Sequence, residues 1–407
     1  MTKHPASLHL RRQLSLLNRA QISTIHSFCM NVLRRYYYKI GLDPAFRVID
    51  QTEAELMREE ICEELFEEEY GKENNDGFYK LVDCYTGDRS DIQLQTLVEN
   101  LYDFSRSHPH PEKWLEEMAE AYLLPENAGI DELPWTREII EEVRLQLEGL
   151  GDMLSRADRL TGLPGGPAAY HETFLEDSRQ IAELIAASKV SWNELYALFQ
   201  TTSFGKLKPV RGDHDEGLKK QAKQVRDTVK KQVDKIRGEL FARAPEQFFD
   251  DLRKMAPHVR VLSELVKAFA RRYQRAKLDK GLIDFDDSQH YCLEVLSDPE
   301  SEPGKRIPAD SAHDYRQQFE EVLVDEYQDT NFVQEAILEL ITGSDNLFMV
   351  GDVKQSIYRF RQAEPGLFLS KYKSFRGDGE DPGLRIDLSE NFRSREEVLS
   401  AANFLFR

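Results

Sequence analysis

Three aliphatic residues, Val322-Leu323-Val324, run directly into two carboxylates, Asp325-Glu326, and then into Tyr327-Gln328-Asp329-Thr330. An apolar run of this kind predicts a strand buried on both faces, as in parallel sheets. Such a strand delivers the residues after it to the carboxyl edge of the sheet, where open α/β folds bind ligands. One carboxylate there can hold a Mg²⁺ that bridges nucleotide phosphates, and a second can orient or deprotonate an attacking water. The plainer reading is a strand that ends in two solvated acids. The segments that follow bear on the choice.

A helix over Phe332–Ile341 and a second apolar strand, Leu347–Val350, come next, a strand–helix–strand order that defaults to a right-handed parallel crossover. The second strand leads into Gly351-Asp352-Val353-Lys354-Gln355-Ser356-Ile357-Tyr358-Arg359-Phe360-Arg361, placed at the same sheet edge as the two acids. Gln355 is a neutral group able to sense a terminal phosphate, and Arg361 could neutralise charge developing on it. Tyr358 and Phe360, beside basic residues, are suited to stacking single-stranded bases. A third strand is expected at Leu384–Leu388, followed by Phe392, a platform for a base, and Arg393, a candidate arginine finger. Ser394-Arg395-Glu396-Glu397 reads as a capping box that starts a helix. Near the other end, Ala20–His26 reads as a short strand, and Ser27 as the cap of a helix from Phe28 to about Tyr38. Thr24, His26 and Ser27 are placed where hydroxyls and an imidazole can bond a nucleic-acid backbone.

Between these ends the character changes. From Gln51 to about Met255, long amphipathic helices are expected over Glu53–Tyr70, Leu94–Ser105, Arg137–Leu160, Phe174–Ala187 and Gly217–Phe241. Pro257 is expected to open another helix, ended by Gly281. A chain of 407 residues exceeds one ordinary core, so two or three domains are expected. No run approaches a membrane span and no signal-peptide pattern opens the chain, which makes the cytoplasm the default location. The scattered Cys29, Cys62, Cys84 and Cys292 argue against a metal cluster and for buried free thiols. Net charge is −19, yet residues 1–42 hold no Asp or Glu, and basic runs recur at 219–237 and 253–280. Either a locally positive groove or ordinary solvated helix faces would produce that pattern. No G-x-x-x-x-G-K-[ST] phosphate loop occurs in the sequence.

Taken together, the motifs resemble those of superfamily 1 DNA helicases of the UvrD/RecB type. Ser23–Phe28 is similar to an early DNA-contacting motif, Val324–Thr330 to the metal-binding motif, and Val350–Arg361 to the motif coupling phosphate to DNA. Asn391–Ser394 is similar to the motif that opens a second motor domain. Within that group, Leu14–Ala20, Val353-Lys354-Gln355 and Ser105-Arg106-Ser107-His108-Pro109 resemble the helicase–nuclease subunits of bacterial AddAB-type recombination-repair complexes. The resemblance implies an α/β fold, an incomplete RecA-like parallel sheet of the P-loop NTPase type, with a large all-helical inserted domain. Residues 1–49 and 256–380 would form the first motor domain, 50–255 the insertion, and 381–407 the start of a second motor domain. It implies an ATP- and Mg²⁺-dependent helicase and nuclease that processes double-strand breaks on single- and double-stranded DNA, paired with an AddB-type subunit. Asp325 would ligate Mg²⁺, Glu326 would activate water, and Gln355, Arg361 and Arg393 would read the γ-phosphate. Tyr358 and Phe360 would contact single-stranded bases. The same resemblance makes this chain an internal piece of a larger protein, not expected to turn over ATP alone. The rival readings are a non-catalytic DNA-binding or docking module with the same fold, and a P-loop NTPase that acts on something other than DNA.

Overall fold

The computed structural model describes residues 8–17, 20–87, 90–125, 128–302, 304–375 and 383–405, apart from the side chains at 9, 10, 11, 13, 17 and 361. In chain order, α1 (Leu8–Leu17) and α2 (Ile25–Tyr36) lead to β1 (Arg47–Val48). A helical stretch follows: α3 (Gln51–Gly71), α4 (Asp76–Tyr85), α5 (Ile92–Ser105), α6 (Pro111–Glu120) and α7 (Thr136–Thr161). It continues through α8 (His171–Ser188), α9 (Trp192–Thr201), α10 (Glu216–Leu240) and α11 (Pro245–Asp279). Then come β2 (Leu282–Ile283), α12 (Phe285–Leu296), α13 (Asp310–Gln318), β3 (Val322–Val324), α14 (Phe332–Ile341), β4 (Leu347–Met349), α15 (Pro365–Ser374) and α16 (Glu396–Leu405). Among the described residues the protein is mostly helical, with two small parallel sheets, β1–β2 and β3–β4. It divides into two compact units, one of residues 1–117 and 261–407, the other of 118–260.

The 118–260 unit is built on amphipathic helices. Val143, Leu147, Leu150, Leu154 and Ala157 recur every three or four residues along α7 and are buried against α8 and α10. Each of the valine and leucine side chains contributes about 1.5–3 kcal/mol by leaving water, and Ala157 less. α10 keeps the same period with Ala222, Arg226, Val229, Val233 and Ile236. Arg226 is tolerated there because Asp177 on α8 accepts its Nε proton at 2.5 Å and the Gly205 carbonyl accepts from Nη2 at 2.7 Å.

In the other unit, α2, α12 and α14 wrap one apolar core with Cys29, Val32, Leu33, Cys292, Leu296, Val333 and Ile337. Val322, Val324 and Met349 pack against it from β3 and β4. β1 and β2 pair across the whole helical stretch, Arg47 with Leu282 and Val48 with Ile283.

Several expectations are corrected. Ala20–His26 forms no strand: Thr24 caps a helix that begins at Ile25, its Oγ1 accepting from Ser27 N at 3.3 Å. A strand needs a neighbour to pair its amides, whereas this hydroxyl satisfies a helix terminus locally. Pro257 lies inside α11, which is opened by Pro245 at the first helical position, where a missing N–H costs nothing. Leu384–Leu388 forms no strand beyond a single bridge position at Leu384, and Leu384, Ile386 and Leu388 are exposed. By contrast, α16 begins at Glu396, inside the Ser394–Glu397 stretch expected to start a helix, and Asn391 Oδ1 accepts from the amides of Arg393 and Ser394 just before it. β3 is covered on one face only, and Leu323 is 69% exposed. Of the cysteines, Cys84 is exposed, while the other three are buried. Among the described residues no helix is long and apolar enough to cross a membrane.

Candidate functional site

The parallel register of β3 and β4 sets Val324 beside Met349, so the chain leaves both strands at the same edge. Tyr327 N donates to Val350 O at 2.9 Å and carries the ladder past the end of β3. Asp325 and Glu326 are exposed there, and Asp325 Oδ1 accepts from Glu326 N at 3.0 Å. Glu326 adopts φ 51° and ψ 42°, a left-handed conformation that costs a non-glycine residue about 1 kcal/mol or more. Surrounding contacts hold it. The Gln328 amide donates to Glu326 Oε2 at 2.7 Å, and its Oε1 accepts from Asp352 N at 3.0 Å. One buried glutamine thus ties the acid loop to the loop after β4.

Gly351 makes that approach possible. A Cβ there would lie 2.5 Å from Gln328 Oε1 and 3.0 Å from the Phe368 ring. Gln355 Nε2 donates to Asp352 Oδ2 at 3.1 Å and holds the Asp352 carboxyl below its usual range. Behind the acids, buried Tyr327 donates to Glu335, which Lys371 of α15 meets at 2.7 Å. Burial, then the nearby Glu326 carboxylate, pushes the Asp329 carboxyl up. Its Oδ1 is buried without a hydrogen-bond partner.

The structure therefore brings Asp325, Glu326 and Gln355 to one edge. Tyr358 and Phe360 follow with ring centroids 5.8 Å apart, Phe360 being 74% exposed. The Arg361 side chain lies outside the described residues. Phe392 and Arg393 sit in an exposed turn before α16, and among the described residues no hydrogen bond, ion pair or ring contact ties them to the acid loop. Thr24, His26 and Ser27 lie at the start of α2, which packs on α12 rather than on the β3–β4 edge. His26 Nε2 is 3.3 Å from the Gln289 amide nitrogen, its ring meets Phe285 edge-on at 5.7 Å, and burial lowers its pKa.

Among the described residues no group of three or more His, Cys, Asp or Glu is arranged to hold a metal. Mg²⁺ needs no such cage, since one or two carboxylates with water and substrate phosphate suffice, and the exposed Asp325–Glu326 pair fits that donor set. Sequence reasoning missed Gln328, Gly351 and Tyr327. Only the motifs that contain them, the acid loop for Tyr327 and Gln328 and the loop after β4 for Gly351, signalled that they mattered.

The acid pair and the polar loop after β4 thus meet at one edge of a parallel strand pair, the place where open α/β sheets bind ligands. Residues 3–376 match the family described as UvrD/REP helicase N-terminal domain, and the chain belongs to that family. It is 51% identical to an ATP-dependent helicase/nuclease subunit of Bacillus licheniformis and 51% identical to that of Geobacillus kaustophilus. With the Bacillus anthracis counterpart it shares 49% identity. These alignments cover 99–100% of this chain and 33% of each relative, so the chain spans about a third of their length.

Proposed function

We propose that this chain is the N-terminal motor region of an ATP-dependent DNA helicase/nuclease subunit that processes double-strand DNA ends for recombinational repair. It would work in the cytoplasm, as a heterodimer with an AddB-type subunit. In this reading residues 1–49 and 256–380 belong to a RecA-like motor domain, 50–255 to an accessory insertion, and 381–407 to the threshold of a second motor domain. Pairing of β1 with β2 across the helical stretch supports the insertion. The observation that carries the function is the joined edge, where Gln328 holds Glu326 and the Asp352 loop together.

When bound, Mg²⁺–ATP supplies a polarised terminal phosphate. Asp325 then offers its carboxylate to the ion, and Glu326 holds an attacking water and takes its proton. Gln355 exchanges its bond to Asp352 for the terminal phosphate and reports its presence to the Tyr358–Phe360 segment. Arg361 and Arg393 neutralise phosphate charge, and Phe392 stacks on the adenine. Tyr358 and Phe360 stack on bases of the single strand, while Thr24, His26 and Ser27 meet its backbone.

The test is Glu326→Gln in the full-length protein. DNA-stimulated ATP hydrolysis should fall by about a hundredfold or more, the scale of losing a general base, while single-strand affinity stays within about twofold. Salt-dependent DNA binding by a protein with no hydrolysis to lose would favour the non-catalytic module. Hydrolysis without DNA binding would favour an NTPase acting on another substrate.

A further inference from the structure

The acid loop and the start of α2 lie on different elements, yet one short loop touches the supports of both. Arg106, at the end of α5, reaches Asp287 on α12 with Nη2 at 3.0 Å. Its carbonyl accepts from His290 Nε2 at 2.8 Å. α12 is also the helix whose Phe285 and Gln289 contact His26. One residue further along the loop, Ser107 O accepts from Val333 N at 3.2 Å, at the first turn of α14. His108 then lies flat between two rings: Trp114 at 4.9 Å and 15°, and Phe332 at 4.9 Å and 21°. The helix that carries Trp114, α6, is tied to α11, whose Ser263 hydroxyl donates to the Leu115 carbonyl at 3.1 Å and whose Lys267 meets Glu116 at 3.0 Å. Phe332 is the first residue of α14, directly after Asp329-Thr330-Asn331 of the acid loop. Asn331 Oδ1 caps that helix by accepting from Gln334 N at 2.9 Å, and the stacked His108 ring bears on the residue just after the cap.

We propose that Ser105–His108 couples the DNA-contacting start of α2 to the acid loop, with His108 as the positioning residue that locks the α14 terminus. The inference rests on the function proposed above. A strand held at His26 displaces α12, Arg106 moves with it, and the His108 wedge passes the shift to Phe332 and so to Glu326. α12 also packs directly on α14 through the core, so the fold does not depend on the wedge.

The experiment uses the full-length protein with His108→Ala and His108→Phe, measuring ATP hydrolysis with and without single-stranded DNA, together with single-strand affinity. His108→Ala should cut the ratio of stimulated to basal kcat about fivefold, the scale of a 1 kcal/mol coupling. Basal hydrolysis and DNA affinity should stay within about twofold, and His108→Phe, which keeps a flat ring, should restore the ratio. An unchanged ratio in His108→Ala overturns the coupling. So does a joint fall of basal and stimulated rates with a lower Tm, which marks a merely structural residue. If the unsubstituted protein shows no stimulated hydrolysis, the proposed function itself fails and the coupling falls with it.

Discussion

His290 donates its Nε2–H to the Arg106 carbonyl, and burial, then the Arg106 charge, pushes its pKa down to about 3. In the unfolded chain the same imidazole takes a proton as pH falls below 6.5. The unfolded state therefore binds more protons between these values, and stability rises with pH across that window. This contribution is complete above pH 6.5 and is lost progressively as pH falls toward 3. At pH 4.5 about 2 kcal/mol should be gone relative to pH 7. Urea titrations at the two pH values should show that loss, and His290→Gln should shrink it. A pH dependence left intact in His290→Gln would place the titration elsewhere. His290 also shows what a linear reading misses at this scale. Its meaning depends on a carbonyl contributed by another element, as the meaning of Gln328 depends on Asp352. Asp325 and Glu326 were legible because their neighbours form a strand and a helix at short range. The left-handed backbone at Glu326 left no mark in the sequence, since glutamate has no preference for it.

The helices were legible in kind because burial repeats every three or four residues whatever the partner. The expected Glu53–Tyr70, Arg137–Leu160 and Gly217–Phe241 helices lie within a few residues of α3, α7 and α10. Their interior exceptions were not legible. Arg226 reads as one more charge on a basic helix, yet it faces inward, because Asp177 supplies a partner that is itself fully buried. Asp177→Ala should leave a guanidinium enclosed without its carboxylate and cost roughly 3–5 kcal/mol in chemical denaturation. Asp177→Leu with Arg226→Met, which removes both charges, should recover most of that loss. If the double substitution is no better than the single one, the pair is more than a mutual neutralisation. β1 and β2 escaped notice for a different reason, since two-residue strands carry too little pattern to be seen before their partner is known.

For the molecule as a whole, the sum of charge says less than its placement. The basic run on α11 is met by acids from its own unit: Arg271 by Glu112, Arg272 by Glu68, and Lys277 by Asp284 and Asp287. These three cations are paired within their own surroundings. Arg271→Ala with Arg272→Ala should therefore leave the salt slope of single-strand binding by the full-length protein unchanged. A slope reduced by about one per residue would place these side chains on phosphates. The β1–β2 ladder has one more consequence, and it concerns time. Arg47 and Leu282 cannot meet until everything between them has been drawn in, and closing such a span costs roughly 3 kcal/mol more than closing a ten-residue loop. The helices need only local contacts, so pulse-labelling hydrogen exchange during refolding should protect the α7 and α10 amides before those of Arg47 and Ile49, and simultaneous protection would place the ladder earlier.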